Sequence, residues 1–141
     1  DGGLTFLMPG ASKYKSDALK NSHKIIKKTI NSIRSQTKAT NVHDSFYDLL
    51  KPLSLEPNFS PYVTGTRGTG HGVGLDVVEF PDLNKFSNFI FYPNMTFAIK
   101  LDLHDLEGEG LRVEQVVQIT EEGVKPLNKL ALNNSDDWAI L

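Results

Sequence analysis

Residues Met95–Leu103, MTFAIKLDL, set apolar side chains at Phe97, Ile99, Leu101 and Leu103 and place Lys100 and Asp102 between them. Successive side chains of an extended chain point to opposite faces, so this spacing predicts a strand with one apolar face and one face carrying Lys100. Leu111–Thr120, LRVEQVVQIT, alternates in the same way, and Glu122-Gly123 reads as a hairpin turn into Val124–Leu127. Upstream, Val73, Leu75, Val77 and Glu79 alternate with Gly74, Asp76, Val78 and Phe80, which predicts a further strand over Val73–Phe80.

Helical spacing precedes the strands. Ala18, Ser22, Ile26, Ile30 and Ile33 recur at intervals of three and four, Leu19, Ile25 and Thr29 widen the stripe, and Lys20, Lys24, Lys27, Lys28 and Arg34 cover the rest. With Ser16 or Asp17 as its cap, this is an amphipathic helix ending near Lys38. Thr40 or Asn41 caps a second helix through Val42, Phe46, Leu49 and Leu50, which Pro52 stops. Prolines and glycines keep Leu53–Gly70 irregular. Two helices followed by a meander of strands predict an α+β domain, its helices covering one face of a largely antiparallel sheet.

A chain of 141 residues suits one domain. It has no cysteine, which removes disulfides, thiolate zinc sites and cysteine nucleophiles. No apolar run approaches the roughly 20 residues of a membrane span and nothing resembles a signal peptide, so a cytoplasmic protein without a membrane partner is expected. The net charge of −2 is unevenly spread: residues 1–38 carry eight Lys/Arg against two Asp/Glu, and residues 39–141 carry seven against fifteen. The lysines of the first helix lack interleaved aromatics and any nucleic-acid motif, so they read as a solvated face and not as a nucleic-acid surface.

The chemistry centres on GTGHGVG, residues 68–74, where glycines on both sides of His71 permit close backbone approach. The glycines do not complete GxGxxG, and no GxxxxGK[ST] occurs, so a phosphate cradle is excluded. The absence of a Gly-x-Ser-x-Gly elbow leaves a serine hydrolase without support. On this stretch alone His71 is either structural or a metal ligand. His104 with Asp102 and Asp105 reads as part of an exposed acidic turn rather than a metal cluster. His23 and His43 read as surface groups, and Trp138 as either a tail anchor or an interface residue.

Four motifs occur in a telling order: DGGLTF (residues 1–6), GHGVGLDVVEFP (70–81), YPNMTFAIKLDL (92–103) and GEGLRVEQVVQITEEGVKPL (108–127). Together they resemble the creatinase, methionine aminopeptidase and Xaa-Pro peptidase family, and in wording the Xaa-Pro dipeptidases. The resemblance implies a half to near-complete pita-bread domain spanning residues 1–141, with helices on a curved, mainly antiparallel sheet and without its N-terminal strands. It also implies a site for two divalent ions, Mn or Co, with Asp1, His71 and Glu114 on three of the five metal-ligand positions.

The remaining positions depart from the family's pattern. The first aspartate would fall upstream of residue 1, and the glutamate expected after Phe97-Ala98-Ile99 is Lys100. Two histidines that handle substrate in relatives are replaced by Val78 and Arg67. Hard divalent ions need carboxylate and imidazole donors, and an ammonium has no lone pair to give. Exchanging Glu for Lys alters the site by two charge units, each worth about 4 kcal/mol against a neighbouring charge at ~4 Å and an effective dielectric of 20. The expectation is therefore a catalytically inactive, metal-free domain that binds a peptide or protein segment, with Arg67 and Lys100 as substrate contacts and Lys100 paired to Glu114 and Asp1. The alternative is an active divalent-metal-dependent Xaa-Pro peptidase with ligands supplied by an upstream segment or a partner chain. A third reading is an assembly subunit, as a homo-oligomer or beside a partner subunit.

Overall fold

The structure, a computed structural model, describes residues 2–59 and 68–128. Its elements in chain order are α1 (Lys13–Ser32), α2 (Thr40–Leu50), β1 (Gly70–Gly72), β2 (Glu79–Asp82), β3 (Thr96–Leu106), β4 (Glu109–Ile119) and β5 (Val124–Pro126), with short 3-10 turns at Lys51–Leu53 and Glu56–Asn58. This is the expected α+β order.

The first helix starts a turn earlier than its apolar stripe suggests. The Ser12 hydroxyl accepts the Lys15 N–H as N-cap and donates to Glu107, tying the helix start to the β3–β4 turn. It also stops at Ser32 and not near Lys38. Beyond that point the backbone finds partners elsewhere: the amides of Gln36 and Ala39 bond to the carbonyls of Phe91 and Phe89, and the Phe91 amide bonds to Thr37. The second helix begins at Thr40 without a side-chain cap.

The stripe itself is buried as read, from Ala18 and Leu19 to Ile30 and Ile33. It packs on β3 and β4, and α2 packs on α1. One face of the sheet, carrying Phe97, Ile99, Leu101, Leu103, Val113 and Val117, forms the core with Leu19, Ile26, Ile30 and Phe46. Phe97 anchors it, its ring 4.9 Å from that of Phe91 and 6.3 Å from that of Phe89.

The sheet has the order β2-β1-β3-β4-β5 with every pairing antiparallel. In the central ladder Ala98 faces Val116, Lys100 faces Glu114 and Asp102 faces Arg112. The acidic turn expected after β3 is present at Glu107-Gly108, with Glu107 and Gly108 at φ 54° and 82°. A register shift between Leu103 and Leu106, with Asp105 at φ 56°, bends the hairpin just before it.

The strand expected over Val73–Phe80 is a correction. Only Glu79 and Phe80 belong to a strand, and Leu75, Val77 and Val78 are exposed in a connection between β1 and β2. Val73 still bonds to Thr96 of β3, but beyond it the Gly74 amide bonds to the Asp76 carbonyl and the Asp76 amide to the Glu79 carboxylate, within the loop and not in a ladder. His43, expected on the surface, packs its ring 5.9 Å from that of Phe59 and is largely covered. Trp138 lies outside the described residues. Among the described residues no helix is long and apolar enough to cross a membrane.

Candidate functional site

The candidate site lies on the sheet face opposite the helices, where β1, β3 and β4 run side by side. His71 is the Cα partner of Ala98 on β3 and of Asp82 on β2. Such close flanking strands need glycine next to the histidine. A Cβ on Gly70 would collide with the Ala98 carbonyl, and one on Gly72 would come 2.6 Å from the Phe80 carbonyl oxygen. The glycines around His71 are therefore a packing requirement of the strand that carries it.

His71 is 4% exposed, and its Nδ1 lies 3.0 Å from the Gly72 carbonyl oxygen. A carbonyl only accepts, so Nδ1 is the donor in this contact, which leaves Nε2 as the ring's other nitrogen. That nitrogen stands 4.0 Å from Glu114 Oε1. Glu114 is 7% exposed and is held in place by two backbone hydrogen bonds with Gly3, at 2.9 and 3.3 Å. The segment that begins with DGGLTF thus runs beside the glutamate, as the motif order implied. Asp1 and Arg67 themselves lie outside the described residues.

Lys100 is 7% exposed at the centre of β3, between its backbone bond to the Thr69 carbonyl and its cross-strand partner Glu114. It sits on the face that the alternation assigned to it. The expected Lys100–Glu114 ion pair is corrected: among the described residues no ion pair joins the two, and the Glu114 carboxylate lies 4.0 Å from His71 Nε2 instead, while the expected pairing with Asp1 lies outside the described residues. The two side chains share a face and a register without meeting.

A second pair on this face was not anticipated. Arg112 donates to both carboxylate oxygens of Asp102, at 2.6 and 3.1 Å, with the Asp102 side chain 6% exposed and that of Arg112 about half exposed. This bond to Asp102, aided by the charges of Asp102 and Glu114, raises the Arg112 guanidinium above its ordinary value against the opposing effect of burial. The turn at Glu107-Gly108 alone would set Asp102 opposite Val113; the register shift between Leu103 and Leu106 brings it opposite Arg112, and apolar spacing carries no signal of that shift. His104 and Asp105 do not join Asp102 in a cluster, because Asp102 is committed to Arg112.

The described residues do not by themselves supply the donors of a dinuclear metal centre. Two donors, His71 Nε2 and the Glu114 carboxylate, face each other, and the neighbouring strand position holds an ammonium instead of a carboxylate. Among the described residues no group of three or more His, Asp or Glu is arranged to hold a metal ion.

Comparison with known proteins agrees with the motif order. The profile of metallopeptidase family M24 matches residues 1–121. An Xaa-Pro dipeptidase of Pyrococcus furiosus is 35% identical over 60 residues, which is 43% of this chain and 17% of that protein. A probable dipeptidase PepE of Mycobacterium bovis is 30% identical over 97 residues, 69% of this chain and 24% of that protein. Among solved structures, dipeptidase PepE of Mycobacterium ulcerans superposes with a TM-score of 0.81 at 24% identity, covering 92% of this chain and 33% of that one. The chain therefore has the pita-bread fold and corresponds to about a third of that structure's length.

Proposed function

The chain belongs to metallopeptidase family M24, and from that premise we propose that this Xaa-Pro dipeptidase-related domain is catalytically inactive and binds a peptide or protein segment. The observation that carries the reading is Lys100, buried on the same sheet face as His71 and Glu114 and directly across from the glutamate. Without a third carboxylate no pair of divalent ions is held, and without an ion no bound water is brought toward a neutral pKa. Val78, 38% exposed in the β1–β2 connection, offers no imidazole to move a proton. What remains is a sheet face with buried polar groups at His71, Lys100 and Glu114, suited to holding an extended peptide.

A second reading is favoured by one distance. His71 Nε2 and Glu114 Oε1 are two electron-pair donors 4.0 Å apart, a spacing that one divalent ion with ligand bonds of about 2.1 Å spans. On that reading the domain is part of an active metal-dependent Xaa-Pro peptidase whose other ligands come from elsewhere. One experiment separates the two: incubation with Mn²⁺ or Co²⁺, elemental analysis after desalting, and an assay of Ala-Pro hydrolysis. The inactive reading expects less than stoichiometric metal and no turnover. Two ions per chain with steady hydrolysis would overturn it.

A further inference from the structure

Among the described residues the ammonium of Lys100 has no counter-charge beside it: no carboxylate lies within 4.0 Å of its Nζ, although two are near along the sheet. Glu114, directly across the ladder, is turned to His71, and Asp102, two residues along β3, is bound at both oxygens by Arg112. The Lys100 backbone amide is spent on the Thr69 carbonyl. Burying a cation without an anion costs several kcal/mol, and the cost falls when a carboxylate arrives. Lys100 lies on the sheet face away from the helix-packed core, so a ligand reaches it from that side.

We infer that Lys100 anchors a carboxylate of the bound peptide. This rests on the reading of the domain as a binding module and names the ligand group that its central residue takes. A singly charged carboxylate suits the face better than a phosphate. Among the described residues of β3 and β4 on this face, Lys100 and Arg112 balance Glu114 and Asp102, so a monoanion leaves a single excess charge, whereas a dianion adds repulsion from both carboxylates. The Asp102–Arg112 pair supports the assignment from the other side: it holds the neighbouring carboxylate away from the ammonium and keeps Lys100 available.

A carboxylate of this kind comes from the peptide's C-terminus or from an acidic side chain, and three probes distinguish them: acetyl-Ala-Ala-Pro with a free C-terminus, the same peptide as its amide, and acetyl-Ala-Asp-Pro amide. Binding to the full chain is measured by titration calorimetry for the unaltered protein and for Lys100→Met, Lys100→Gln and Lys100→Arg, with circular dichroism confirming that each variant is folded. One of the charged peptides is expected to bind about tenfold or more tightly than the neutral amide, the preferred one identifying the source. Lys100→Met and Lys100→Gln abolish that preference, and Lys100→Arg retains it. If all three peptides bind alike, or if the preference survives in a folded Lys100→Met or Lys100→Gln chain, this inference is wrong while the binding-module reading stands. If none of the peptides binds, both are overturned.

Discussion

Lys100 and Glu114 are Cα partners on neighbouring strands, yet the ionic contact that Glu114 makes within 4.0 Å runs to His71 on the strand beyond. Backbone register brings the charges to one face, and side-chain direction then decides which of them meet. Lys100→Glu puts two carboxylates directly opposite each other, an arrangement that destabilises a ladder by up to about 1 kcal/mol at exposed sites and by more where both are covered. It also adds the third donor that a divalent ion needs. The expected outcome is a lower unfolding temperature without metal, recovered on addition of Mn²⁺, whereas the unaltered chain does not respond. A variant that ignores Mn²⁺ would mean that His71 and Glu114 are no longer arranged as ligands.

Gly70→Ala tests how β1 is held. The added Cβ would meet both the Ala98 carbonyl and the Leu83 side chain, so β1 must move away from β3. We expect a loss of about 2 kcal/mol or more in urea unfolding, since the obstacle is backbone and cannot swing aside. The His71 ring signals in NMR should shift with it, because the histidine is carried by the displaced strand. A substitution at Gly10, where a Cβ meets nothing within 4 Å but φ is +90°, is the control for conformational strain alone.

Where periodicity and burial coincide, the fold was legible. The α1 stripe and the alternation through Phe97, Ile99, Leu101 and Leu103 each bury one face, so their spacing carries the answer. Val73–Val78 shows the limit. Its alternation of apolar and small residues satisfies the strand pattern, but the Glu79 carboxylate accepts the Asp76 amide, and the β1–β2 ladder, shifted in register between His71 and Gly72, closes at the Gly72–Glu79 pair. Local hydrogen bonds of that kind leave no trace in apolar spacing. At the site, the motif order singled out His71, Lys100 and Glu114, but the pairing of Lys100 with Glu114 and of Asp102 with Arg112 across the ladder depends on the register shift between Leu103 and Leu106, which apolar spacing does not record.

The same loop yields a contrast in stability. Leu75 is 105% exposed and Val77 is also open to solvent, whereas Phe97 is 1% exposed. Leu75→Ser and Val77→Ser should each change the unfolding free energy by less than about 0.5 kcal/mol. Phe97→Ala removes the ring that joins Phe89 and Phe91 and should cost about 3–5 kcal/mol. Equal costs at the two sites, measured by denaturant titration, would return Val73–Val78 to the sheet.

Arg112→Ala strips the covered Asp102 carboxylate of both its donors. Because the guanidinium is about half exposed, water replaces part of what is lost, and a destabilisation of about 1–2 kcal/mol is expected, smaller than for a fully buried pair. Combining it with Asp102→Asn in a double-mutant cycle should recover most of that loss as coupling between the two sites. The consequence reaches Lys100. On one strand face, residues two apart lie about 7 Å from Cα to Cα, within the span of a lysine side chain turning toward its neighbour, so a freed Asp102 competes for the ammonium. Arg112→Ala is therefore expected to reduce the preference for a charged peptide as well as stability, and Asp102→Asn in the same background to restore it. Loss of stability with the peptide preference intact would show that the pair braces the hairpin without controlling Lys100.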